Sequence, residues 1–78
     1  MANEKILLVE DDFALAMGTE YTLKTENYEV VKASNLAEAK ALLQPDIDLV
    51  LLDVMLPDGN GYDFCRYIRE HDNYVPVI

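Results

Sequence analysis

An α/β fold, a parallel β-sheet covered by helices on both faces, is predicted by three observations. Four short apolar runs recur along the chain, each separated from the next by a stretch with room for one helix. The links between them are short, which favours right-handed crossovers and parallel strands. Two of the runs end abruptly in carboxylates, and open parallel sheets gather their functional groups at the edge where strands end. The chain has 78 residues, 51% hydrophobic and 27% charged, which suits one globular domain.

The first strand is residues 5–10. Its run Ile6-Leu7-Leu8-Val9 is continuous rather than alternating, the pattern of a strand buried on both faces. A helix over residues 13–26 follows, assigned more from its neighbours than from its own pattern. Leu15, Thr19, Thr22 and Glu26 share a face that suits a core poorly, and Gly18 costs about 1 kcal/mol relative to Ala in a helix interior. Asn27 fits its end, because Asn tolerates the left-handed conformation. Residues 28–32 are β-branched with polar ends and read as an edge strand. Asn35-Leu36-Ala37-Glu38 has the form of a capping box, with a helix running on to Gln44 and stopped by Pro45. Residues 47–53 form the third strand. Gly61 precedes a third helix over 62–70, with Phe64, Cys65 and Ile68 on its apolar face. Val75-Pro76-Val77-Ile78 begins a fourth strand, where Pro76 must sit free of ladder demands. The order is β-α-β-α-β-α-β.

Composition excludes several functions. Fifteen acids against six bases give a formal charge of −9, which argues against nucleic-acid binding by this chain and against docking on an anionic membrane. No apolar run approaches the roughly 18 residues of a membrane span, and the start does not resemble a signal peptide. One Cys excludes an internal disulfide framework and fits a reducing cytosol, so a cytoplasmic location is expected.

The acids are the chemical signal. The first strand runs into Glu10-Asp11-Asp12 and the third ends at Asp53. If the two strands are neighbours, three or four carboxylates crowd one site, and a hard divalent cation such as Mg²⁺ relieves their repulsion. The plainer reading is that these acids cap helices and turns. For Asp12 alone the cap is preferred; Glu10 and Asp11 cannot both be caps. The loop after Asp53 contains Pro57, which fixes φ, and Gly59 and Gly61, which permit positive φ. It can turn back over the sheet edge and present a carbonyl to the site.

Ile6-Leu7-Leu8-Val9-Glu10-Asp11-Asp12 followed by Asp53-Val54-Met55-Leu56-Pro57-Asp58-Gly59-Asn60-Gly61 resembles the receiver domain of two-component response regulators. The Met-Leu-Pro-Asp form is most similar to the transcription-factor subfamily with a winged-helix output domain. Asn27-Tyr28-Glu29-Val30 matches that family's turn into its second strand, with Asn where Gly is usual. The resemblance implies a flavodoxin-like parallel sheet, here with strand order 2-1-3-4. It implies that Asp53 accepts a phosphoryl group from a histidine kinase. Asp11, Asp53 and the Met55 carbonyl would ligate Mg²⁺ directly, and Glu10 through water.

The family places a Ser or Thr at the end of strand four and a Lys at the end of strand five, and this sequence stops before both. The resemblance therefore implies that residues 1–78 are the N-terminal part of a single receiver domain, impaired in switching. The exposed edge at residues 75–78 suggests self-association. Two other functions compete. One is a self-assembling half-fold with an unused acid pocket. The other is a Mg²⁺-dependent phosphohydrolase, disfavoured because such enzymes usually carry a carboxylate where Met55 stands. A flavin or dinucleotide binder lacks its glycine-rich loop. Cys65 reads as a small buried apolar residue, His71 as a complement to a helix C-terminus, and the five tyrosines as packing residues.

Overall fold

The computed structural model describes residues 4–53, 55–71 and 75–78. The elements are β1 (Lys5–Val9), α1 (Phe13–Thr25), β2 (Glu29–Ala33), α2 (Leu36–Leu42), β3 (Leu49–Leu52), β4 (Met55–Leu56), β5 (Gly59–Asn60) and α3 (Gly61–Glu70). The main sheet is parallel with order β2-β1-β3. The 75–78 segment lies beyond β3. Val77 bridges Val50 in parallel, with Val50 N donating to the Pro76 carbonyl and Ile78 N to the Val50 carbonyl, both at 2.9 Å. This is the fourth place in the expected order, held by a single bridge rather than a full strand among the described residues. Pro76 offers its carbonyl there, so its missing N–H costs no ladder bond.

β1 is buried on both faces, as its continuous apolar run requires. Leu7 and Val9 join the main core with Ala39, Val50, Phe64 and Ile68 under α2 and α3. Ile6 and Leu8 are equally buried on the other face, where α1 contributes Ala16. That one alanine is the only fully buried residue of α1, which explains why the helix shows so weak a periodicity. Its end is well built. Asn27 has φ of 69°, Asn27 N donates to the Lys24 carbonyl and Tyr28 N to the Leu23 carbonyl. These are the paired bonds of a Schellman motif.

Several boundaries and readings are corrected. α2 stops at Leu42 rather than Gln44, because Pro45 drives the residue before it out of helical conformation and Leu43 is already extended. Asn35 caps α2 through the Glu38 amide at 2.8 Å, but Glu38 reaches one residue further back than a capping box, to the amide and hydroxyl of Ser34. Gly61 opens α3 and is buried; among the described glycines only Gly59 has positive φ. Cys65 is half-buried. Tyr21, Tyr28 and Tyr62 are exposed, and among the described tyrosines Tyr67 alone packs against the core; Tyr74 lies outside the described residues. His71 does cap α3, its Nδ1 2.8 Å from the Tyr67 carbonyl.

Candidate functional site

The register of the sheet assembles the acids. β1 pairs with both neighbours up to Val9, opposite Ala33 on one side and Leu52 on the other. One step further, Glu10 N donates to the Ala33 carbonyl at 3.0 Å and Asp53 N to the Val9 carbonyl at 2.9 Å. Both ladders therefore deliver a carboxylate at the same edge. After β1 the chain crosses to β2 on one side, then returns past β1 to β3. The reversal falls between β1 and β3, the switch point at which open α/β sheets bind ligands.

Glu10, Asp11 and Asp53 each offer one carboxylate oxygen within 4.8 Å of the others. Glu10 and Asp53 are half-buried and Asp11 is exposed. Burial pushes the Glu10 carboxyl up; the Asp12 amide, donating to it at 3.1 Å, pulls it down; the Asp53 and Asp11 carboxylates push it up again. Asp12 stands apart as the N-cap of α1, accepting from the Leu15 amide at 3.1 Å, as preferred from the sequence. The donors are all oxygen, close together and mutually repelling, which fits a hard divalent cation better than a soft one. Cavities of about 220 and 350 Å³ flank the site, one lined by Glu10, Asp11, Phe13 and Lys32, the other by Glu10, Leu51, Asp53 and Ile78.

The loop after Asp53 is more ordered in design than its sequence suggests. Residues 55–56 and 59–60 pair antiparallel, Met55 with Asn60 and Leu56 with Gly59, around a Pro57-Asp58 turn. Val54 and the Met55 side chain lie outside what is described. Leu56 is buried. Asn60 caps α3 by accepting from the Tyr62 amide at 2.7 Å. The residue that sequence reasoning missed is Asp58. Its carboxylate accepts from the Leu36 amide at 2.7 Å and the Ala37 amide at 3.1 Å, and the Leu36 amide above all holds its carboxyl below the usual range. No local pattern could reveal a partner 22 positions away.

A parallel α/β domain with three carboxylates clustered at its switch point has an all-oxygen group that could hold a hard cation. The family is then settled by comparison. The model of the response regulator receiver domain matches residues 6–78. Regulatory protein VanR of Enterococcus faecium is 40% identical over 77 residues, covering 97% of this chain and 33% of that protein. Among solved structures, the non-phosphorylated HemR receiver domain from Leptospira biflexa superposes with a TM-score of 0.91 at 39% identity, covering 96% of this chain and 61% of the other. The MaeR response regulator bound to beryllium trifluoride gives 0.83 at 38%, covering 96% and 64%. The chain belongs to the response regulator receiver family, and its sheet and helices are those of a flavodoxin-like receiver fold. Receiver domains are signalling modules. The chain spans about a third of the length of the curated relatives it matches. Among the described residues no helix is long and apolar enough to cross a membrane.

Proposed function

We propose that this chain is the phospho-accepting part of a two-component response regulator, with Asp53 as acceptor, a histidine kinase as donor and Mg²⁺ at the acid site. The observation that carries the reading is the convergence of Glu10, Asp11 and Asp53 within 4.8 Å at the switch point. An Asp53 oxygen forms a bond to phosphorus as the phosphorus–nitrogen bond of the donor phosphohistidine breaks, and the imidazole leaves with its electron pair. Asp11, Asp53 and the Met55 carbonyl would hold Mg²⁺ directly and Glu10 through water, and the ion would supply charge neutralisation between the two anions. Residues 1–78 then constitute the N-terminal part of one receiver domain, in keeping with the 61% of the HemR receiver chain that they span.

The test is intact-mass analysis after incubation with Mg²⁺ and acetyl phosphate. One added phosphate that disappears in Asp53→Ala supports the acceptor. Phosphodonor turnover without an adduct supports the phosphohydrolase instead, and neither adduct nor Mg²⁺ binding leaves the unused pocket of a self-assembling fragment. A second copy is the partner we assign to the 75–78 edge. A monomeric mass by light scattering at working concentration overturns that assignment.

A further inference from the structure

We propose that Asp58 is a positioning residue for the acid site: by gripping the first two amides of α2 it anchors the far end of the loop that carries Met55. The inference rests on the proposed cation site, with the Met55 carbonyl as a ligand beside Glu10, Asp11 and Asp53. The near end of this loop is fixed by the sheet, through Asp53 N on the Val9 carbonyl. The far end is fixed by three consecutive residues. Both Asp58 oxygens are used, on Leu36 and Ala37. Gly59 lies against the Leu36 side chain. Asn60 caps α3. Met55 sits on the short span between these anchors.

Asn35 takes only the Glu38 amide, so Asp58 completes the cap of α2 at the Leu36 and Ala37 amides, and the same two bonds tie the loop to the helix. Asp58 is exposed, so these bonds rather than burial hold it in place. Groups that orient metal ligands from behind typically change affinity by about 10–100-fold when removed. A ligand carbonyl on a loop with one anchor released samples more orientations, and the cation must then select among them.

The experiment is a Mg²⁺ titration followed by amide NMR on wild type, Asp58→Ala, Asp58→Asn and Asn35→Ala, with thermal melts of each. In wild type the Glu10, Asp11 and Asp53 amides are expected to shift with Mg²⁺, and the Leu36 and Ala37 amides to shift with the same half-saturation. Asp58→Ala should weaken Mg²⁺ about tenfold, the low end of such effects, and silence the α2 amides. Asp58→Asn, which keeps one acceptor oxygen, should weaken it less, and it carries the test if the alanine variant does not fold. Asn35→Ala should lower the melting temperature and leave Mg²⁺ affinity unchanged. Wild-type Mg²⁺ affinity in the folded Asp58 variants, or an equal loss in Asn35→Ala, overturns the proposal. No wild-type response at Asp11 and Asp53 overturns the cation reading itself, and the anchor with it.

Discussion

Gly59 backs directly onto Leu36, so closely that a Cβ built at Gly59 would stand 2.5 Å from Leu36 Cδ1. The glycine also has φ of 156°, a conformation that side chains disfavour. Leu36 is itself in the main core and has little freedom to withdraw. Gly59→Ala is therefore expected to destabilise the protein by about 2 kcal/mol, the mid-range of overpacking. Urea denaturation checks this: an unchanged midpoint would show that the loop can move off α2.

Gly18 predicts the opposite sign. Nothing lies within 4 Å of a Cβ there, and the residue is inside α1. Gly18→Ala should stabilise the protein by roughly 1 kcal/mol, the difference in helix propensity, seen as a rise of about 4–8 °C in Tm for a chain of this size.

Asn27 takes left-handed φ at the end of α1 while its amide and that of Tyr28 close the helix. Replacement by Ala should cost about 1 kcal/mol, the penalty of that conformation for a residue with an ordinary Cβ. Replacement by Gly should be neutral or stabilising. Equal melting temperatures for the Ala and Gly variants would show that the conformation is not what Asn27 supplies.

Acid should weaken the contacts at both ends of the link between β2 and α2. The Leu36 amide holds the Asp58 carboxyl low, and the Ser34 amide and hydroxyl do the same for Glu38. Each native carboxyl binds its proton less readily than in the unfolded chain. Their stabilisation is thus complete above the unfolded carboxylate range and is lost as pH falls through the depressed native values. Glu10 has the opposite sign: its raised native carboxyl gains stability relative to the unfolded chain as pH falls. Urea midpoints measured against pH should fall less steeply on the acid side in Asp58→Asn plus Glu38→Gln than in wild type. Parallel curves would refute the assignment.

The sheet and its acid edge were legible in the sequence because their signals are local. A run such as Ile6-Leu7-Leu8-Val9 ending in Glu10 and Asp11 states both burial and exit on one strand, and parallel register then brings Asp53 alongside. The α1 helix was faint because a helix resting on a sheet through one buried alanine needs no apolar stripe. The small β4–β5 pairing and the Asp58 anchor were hidden for another reason. Pro57-Asp58-Gly59 reads as a turn, and the helix it meets lies far away in sequence.

Glu10 offers the sharpest separation of stability from function at the site. Without a cation, three carboxylates share a space of 4.8 Å, and their repulsion opposes folding at neutral pH. Glu10→Gln removes one charge and keeps an oxygen for the Asp12 amide. It should stabilise the cation-free protein by about 1 kcal/mol, the scale of one unit-charge pair near 4 Å under water-like screening. The same change should weaken Mg²⁺. A ligand that binds only the native state raises stability with its concentration, so the Mg²⁺-induced rise in Tm should be smaller in the variant. The two melting curves then approach each other, or cross, as Mg²⁺ is added. A variant less stable than wild type without Mg²⁺ would mean that Glu10 is held by contacts that outweigh the repulsion, and that the acid cluster is a structural feature before it is a cation site.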